Sequence, residues 1–177
     1  MNHDDHVRLI RDGVSGGGGV WADLGSGEGA FTLALADLLG PGGHIYSVDT
    51  DARALREQRQ ALQARFPAVT LEQRTADFAR PLDLPPLDGV VMANSLHFQR
   101  HKEPALRLVR AMLKPGGRLA LVEYNADKGN MWVPYPLSYP TWEALAQANG
   151  FIQTRLLATQ PSRFLREIYS AVSYTPR

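Results

Sequence analysis

The sequence predicts an α/β protein with a mainly parallel sheet covered by helices on both faces. Short apolar, β-rich runs alternate with longer stretches of helical periodicity over the 177 residues, the pattern of repeated βαβ units. The run 89–93, Gly-Val-Val-Met-Ala, has no polar side chain, as expected of a strand buried on both sides. A glycine-rich turn, Gly25 to Gly29, sits between a strand pattern and a helix pattern, where open α/β sheets bind their ligands.

The elements follow in order. Residues 3–12 read as a short helix with Val7, Leu9 and Ile10 as its apolar contacts, and 15–19 as a glycine-rich break. Residues 20–24 form a buried first strand, and 31–39 a helix closed by Gly40-Pro41-Gly42-Gly43, a cluster that stops helices. A second strand is expected at 44–48. A helix follows at 51–66, with Ala54, Leu55, Ala61, Leu62 and Phe66 along its apolar side. A third strand at 69–73, a proline-bearing loop at 80–86 and the fourth strand at 89–93 come next. Leu106, Val109 and Leu113 place one stripe on a helix at 103–113, and Pro115-Gly116-Gly117 turns the chain into a fifth strand at 119–123. The last helix, 141–149, has Thr141 as its N-cap and Gly150 at its C′ position. Strands at 151–158 and 167–174 complete the sheet, and residues 1–177 read as one domain.

Composition narrows the function. With 19 Lys and Arg against 18 Asp and Glu, the net charge is +1, which gives no electrostatic footprint for nucleic acid or an acidic membrane. Cysteine is absent, so thiolate metal sites, disulfides and cysteine nucleophiles are excluded. The segment 1–11 carries charged residues and no apolar run, and no stretch of membrane-spanning length occurs. A cytoplasmic protein is expected.

The segment Trp21-Ala22-Asp23-Leu24-Gly25-Ser26-Gly27-Glu28-Gly29-Ala30 predicts a nucleotide site. Its glycines permit close approach of a ligand to the main chain. Gly25-x-Gly27-x-x-Ala30 also satisfies a degenerate dinucleotide pattern. Asp49 ends the second strand, where a carboxylate accepts from both ribose hydroxyls of NAD or of S-adenosylmethionine. Asp23 separates the two ligands. Two residues before Gly25, its carboxylate suits an amino-acid ammonium group and repels a pyrophosphate. Asp77, in Ala76-Asp77-Phe78, is placed to accept from an adenine amino group, with Phe78 beside the ring.

With these residues in hand, the chain resembles the class I S-adenosylmethionine-dependent methyltransferases over roughly Gly19 to Phe151. The first motif is Val20 to Gly29. Ile45-Tyr46-Ser47-Val48-Asp49 is similar to the ribose-binding strand, and Thr75-Ala76-Asp77-Phe78 to the adenine-side motif. Leu87-Asp88-Gly89-Val90-Val91-Met92-Ala93-Asn94 and Leu113-Lys114-Pro115-Gly116-Gly117-Arg118-Leu119 resemble the fourth strand and the turn before the fifth. The resemblance implies a Rossmann-like three-layer sandwich whose seven-stranded sheet has its last strand antiparallel. It assigns Asp23, Gly25, Gly27, Asp49, Asp77 and Asn94 to cofactor contact. The flanking Ser26, Gly29, Thr50, Ala76, Phe78 and Ser95 complete the expected cofactor set.

The acceptor side is less defined. Methyl transfer needs alignment of the two reactants, and a base only where the acceptor loses a proton. His97, after the fourth strand in Asn94-Ser95-Leu96-His97-Phe98, is the base candidate because histidine titrates near neutrality. The alternative is a histidine that packs the loop. Phe98 is read as core in preference to a substrate wall, and Gln99-Arg100-His101-Lys102 as a solvated basic cluster in preference to one that attracts an acidic substrate. Tyr124 is a candidate catalytic contact. In the substrate-side loop 126–140, Trp132 and Tyr135 either line an apolar pocket or cover the sheet edge. His3-x-x-His6 is expected to be disordered, and no metal is implied.

Lack of cysteine excludes covalent cytosine C5 methylation and arsenic methylation through thiolates. Asn94-Ser95-Leu96-His97 also departs from the motif of amino-methylating nucleic-acid enzymes. The expectation is therefore a methyltransferase for a small-molecule acceptor, with a pocket that is either shallow or completed by a partner subunit, and with a homodimer as a candidate assembly. The alternatives are an NAD(P)-dependent oxidoreductase and a non-catalytic S-adenosylmethionine-binding partner subunit.

Overall fold

The computed structural model describes residues 1–14 and 16–177; Ser15, in the predicted break, lies outside the described residues. In chain order the elements are α1 (His3–Ile10), a 3-10 turn (Arg11–Gly13), β1 (Gly19–Leu24), α2 (Ala30–Leu39), β2 (Gly43–Asp49), α3 (Ala52–Arg65) and β3 (Thr70–Thr75). Then come β4 (Leu87–Ala93), a 3-10 turn (Leu96–Phe98), α4 (Glu103–Met112), β5 (Leu113–Tyr124), α5 (Tyr139–Ala148), β6 (Ile152–Ser162) and β7 (Arg166–Tyr174).

The seven strands form one sheet in the order β3-β2-β1-β4-β5-β7-β6. β1 pairs in parallel with both β2 and β4, while β7 runs antiparallel to β5 and β6. The order reverses between β1 and β4. That switch point opens a crevice beyond the carboxyl ends of the two strands, because their following connections leave toward opposite faces.

Strand alternation divides the core into two layers. Ala22, Leu24, Val90, Met92, Leu119 and Leu121 face α4 and α5, packing with Leu106, Val109 and Trp142. Trp21, Ile45, Val91, Ala120 and Val122 face the other way, against Leu9, Ile10, Phe31, Leu35 and Leu62 of α1 to α3. Both sets are buried, which is why 89–93 needs no polar alternation.

Three local expectations are corrected. Residues 3–6 are ordered helix: Asn2 and Asp5 form a reciprocal capping box, His3 bonds Asp37 at 2.9 Å, and His6 packs on Phe31 with ring centroids 4.8 Å apart. The N-cap of α5 is Ser138, whose hydroxyl accepts from Thr141 N; Ser-Tyr-Pro starts the helix earlier because proline is tolerated in a first turn. Pro115-Gly116-Gly117 does not precede β5 but is carried within it, with a register shift opposite Leu87 and Gly89.

Candidate active site

Residues from four connections converge at the crevice. A cleft of about 340 Å³ is lined by Gly25, Asp49, Thr50, Ala76, Asp77, Phe78, Asn94, Ser95, Phe98 and Gln99. Eight of these belong to the set expected to hold the cofactor. Phe98 is corrected from core to cleft wall, 60% exposed, because the 3-10 turn rotates it outward.

Gly25 is at the floor. It has φ +75°, and a Cβ there would stand 2.5 Å from Ser95 Cβ, so any side chain closes the cleft and strains the backbone. The loop is tied to the sheet by Gly25 N and Ser26 N, both donating to Val48 O at 2.8 and 3.1 Å. Asp49 holds the same loop: Oδ2 accepts from Gly27 N at 2.8 Å and Oδ1 from Asp51 N at 2.9 Å. Each oxygen keeps a second lone pair for a ligand. Asp77 Oδ1 accepts from Ala79 N at 2.8 Å, which fixes the carboxylate at the cleft wall.

Asp23, Ser26, Gly27 and Gly29 do not line the cleft. Gly29, with φ +89°, makes room for Gln58, since a Cβ there would collide with Gln58 Cγ. Ser26 turns its hydroxyl inward to Ser47 Oγ at 2.7 Å. Asp23 is 1% exposed. Its Oδ2 accepts from Thr32 Oγ1 at 2.6 Å, and its Oδ1 is buried without a hydrogen-bond partner. Burial pushes its carboxyl up to about 7; the Thr32 hydroxyl opposes that rise and the Asp49 charge adds to it. A buried carboxylate oxygen left without a donor, as Oδ1 is, suits a cationic donor.

Asn94 sits at the end of β4 in the left-handed region, φ 52°, with Oδ1 buried and unpartnered. Strain and an orphaned acceptor on one residue mark functional sites. It borders both the cleft and a second cavity of about 520 Å³ whose walls include Asp5, Tyr124, Arg163, Phe164 and Ile168. The tip of the β6–β7 hairpin forms the far wall, held to α1 by Arg8, which bonds Thr159 O and the Gln160 side chain.

His97 is buried, 3% exposed, and paired with fully buried Glu123. Nδ1 lies 3.0 and 3.1 Å from the two carboxylate oxygens. Glu123 also accepts from His97 N at 3.0 Å and Tyr124 N at 3.1 Å. With a carboxylate on Nδ1, that nitrogen carries the hydrogen, and the lone pair of a neutral ring is on Nε2. The Tyr124 ring packs edge-on at 5.7 Å from His97. Burial, with the Glu123 charge beside it, raises the Tyr124 phenol above its usual range, so Tyr124 is a neutral wall and hydrogen-bonding group. Glu123 has no expected role in the sequence reading. An acid directly continuing the apolar run Leu119–Val122 was its only signal.

The loop 126–140 lies beside this pair: Tyr135 N donates to His97 O at 3.0 Å. Trp132 and Tyr135 project outward, 69% and 42% exposed. Lys102 is not part of a solvated cluster. It is buried, and its ammonium donates to Gln99 O and Tyr135 O at 2.9 and 2.8 Å, pinning the loop to the His97 segment. Among the described residues no three His, Asp or Glu side chains converge to hold a metal.

With this geometry established, comparison with known proteins identifies the chain. Residues 22–119 match the family model of the methyltransferase domain. The chain belongs to the S-adenosylmethionine-dependent methyltransferases. It is 36% identical over 105 residues to a ubiquinone/menaquinone biosynthesis C-methyltransferase of Pseudomonas savastanoi pv. phaseolicola, covering 58% of this chain and 41% of that one. It is 28% identical over 163 residues to a reducing polyketide synthase of a Penicillium species, covering 78% of this chain and 6% of that one. The chain thus spans less than half the length of these curated relatives. The fold matches the Burkholderia thailandensis 1,6-didemethyltoxoflavin-N1-methyltransferase solved with bound 1,6-didemethyltoxoflavin and S-adenosylhomocysteine, at TM-score 0.75 and 16% identity, over 99% of this chain and 78% of that one.

Proposed function

We propose that this methyltransferase transfers the methyl group of S-adenosylmethionine to an acidic carbon or a phenolic oxygen of a small-molecule acceptor, with His97 as general base. The observation that carries the reading is the buried His97–Glu123 pair, whose imidazole lines neither cavity itself but packs on Phe98 of the cofactor cleft and on Tyr124 of the second cavity, the two cavities that Asn94 borders. An acceptor that attacks through a preformed lone pair needs no base; a carbon acid does.

The residues fit the cofactor piece by piece. Asp23 Oδ1 lacks the cation that the amino-acid ammonium supplies. Asp49 stands at the end of β2 for the ribose hydroxyls, and Asp77 and Phe78 for adenine. When bound, the cofactor supplies an electrophilic methyl on a sulfonium. His97 Nε2 takes the proton as the acceptor's new bond to the methyl carbon forms, and the carbon–sulfur bonding pair leaves with the thioether. Glu123 stabilises the imidazolium and fixes its tautomer. Tyr124 and Phe164, ring centroids 6.4 Å apart and edge-on, give the acceptor cavity aromatic walls suited to a planar, enolisable or phenolic molecule, and Arg163 places a cation at its rim.

The resemblance to a C-methyltransferase supports carbon as the acceptor atom. The test is incubation with a metabolite extract and methyl-13C-labelled S-adenosylmethionine. Carbon-bound or aryl-ether methyl resonances are expected in the product; label found on amine nitrogen contradicts the proposal.

A further inference from the structure

Beneath the glycine loop lies a chain of polar side chains that spans five elements, β1, α2, β2, α3 and β3, and that the chemistry above leaves largely unused. Gln58, on the core-facing side of α3, is fully buried and makes three hydrogen bonds. Its Oε1 accepts from Ser47 Oγ and Gln73 Nε2, both at 2.7 Å, and its Nε2 donates to Thr32 Oγ1 at 2.8 Å.

The direction of this chain is fixed from its outer end. Arg59, a guanidinium that only donates, bonds Gln73 Oε1 at 2.9 Å. Gln73 therefore turns its NH₂ inward, onto Gln58 Oε1 and also Leu55 O. Gln58 Oε1 must accept, so its NH₂ faces Thr32. Thr32, already accepting from Gln58, has one hydrogen and gives it to Asp23 Oδ2 at 2.6 Å. On the other branch, Ser47 gives its hydrogen to Gln58, so Ser26 of the glycine loop donates to Ser47. Gln58 also fills the space under Gly29, where a Cβ would collide with it.

We propose that Gln58 is a positioning residue for the cofactor. It commits the Thr32 hydrogen to Asp23, favouring that carboxylate's charged form against the pull of burial and leaving its Oδ1 free, and it sets the height of the glycine loop through Ser26 and Gly29. The inference rests on the reading that Asp23 receives the cofactor's ammonium. Ser47 stands in register with Asp23 on β2, Thr32 bonds it from α2 and Gln58 of α3 reaches it through Thr32, all neutral groups; the Asp49 charge adds to its upward shift. The Thr32 hydrogen is therefore the main local force holding the proton off, since a donor to a carboxylate favours its charged form.

Two variants reverse the chain. Gln58→Glu presents only acceptors to Thr32 and draws its hydrogen away from Asp23. Gln73→Glu, on a partly exposed side chain beside Arg59, removes the inward donor and turns the Gln58 amide over, with the same result and no buried charge. Calorimetric titration of S-adenosylhomocysteine from pH 5.5 to 8.5, with 13C NMR of the Asp23 carboxyl in ligand-free protein, reads the effect. Wild-type affinity is expected to rise with pH through the Asp23 midpoint. Both variants should move that midpoint up by about one unit, so that binding at pH 6 weakens about tenfold while binding at pH 8.5 is nearly restored. A merely structural glutamine would lower affinity equally at every pH. Midpoints that stay at the wild-type value in the variants overturn the inference, and Gln73→Glu alone decides it if Gln58→Glu fails to fold. Wild-type protein that binds no S-adenosylhomocysteine contradicts the cofactor reading and this inference with it, an outcome told apart because the NMR midpoint needs no ligand.

Discussion

Asp23 shows how one side chain trades stability for binding. In the unfolded chain its carboxyl titrates near 3.8, and in the fold near 7. Between these values the folded protein holds a proton that the unfolded chain has released, so stability falls as pH rises across that window and levels off above it. The ligand-free protein should therefore lose stability from pH 4 to 7, by up to about 1.4 kcal/mol for each pH unit crossed. Asp23→Asn should abolish this limb, melt higher than wild type at pH 8, and fail to bind S-adenosylmethionine; a variant that melts lower at pH 8 contradicts the burial argument. His97 is predicted to act on turnover alone. His97→Ala should reduce methyl transfer by about 10²-fold or more and retain cofactor affinity. Glu123→Gln, which leaves an acceptor for Nδ1 but no charge, should give an intermediate loss. Equal turnover in wild type and His97→Ala would return His97 to a packing role. These residues were unequally legible. Asp49, Asp77 and Asn94 stand at strand ends, a position that periodicity reveals. Gln58 was visible only as a polar residue between Leu55 and Leu62 on a buried stripe, and its partners come from β2, α2 and β3, which no local pattern links.

At the scale of elements, the pattern of apolar runs was sufficient for every strand and helix, because two-sided burial leaves a strong signature. What it missed were boundaries and side-chain directions governed by single contacts: Ser138 capping α5, the partners that order His3 and His6 at the start of the helix expected over 3–12, and the outward rotation of Phe98. The β1–α2 connection is the element on which the site depends most. Gly25→Ala forces a Cβ into Ser95 and a side chain into a left-handed backbone, at a cost of about 1–3 kcal/mol. Its thermal midpoint should drop, and cofactor affinity should fall beyond what the loss of folded protein explains. A stable Gly25→Ala protein with normal affinity would show that the cleft floor lies elsewhere.

Across the whole molecule, the reversal of strand order between β1 and β4 places Asp49, Asp77 and Asn94 at one crevice although 45 residues separate the first from the last, while Asp23 on β1 stays buried. The second cavity joins α1 to the β6–β7 hairpin through Arg8, a long-range closure that sequence periodicity does not encode. The central claim is that this crevice holds S-adenosylmethionine. Calorimetric titration of S-adenosylhomocysteine and of NADH into wild type and Asp49→Ala tests it most directly. The expected result is one S-adenosylhomocysteine per chain, no heat from NADH, and an affinity loss of about 1.5–3 kcal/mol in Asp49→Ala, the range for hydrogen bonds to a charged group, with apo unfolding little changed. Tighter binding of NADH than of S-adenosylhomocysteine, or normal affinity in Asp49→Ala, would contradict it.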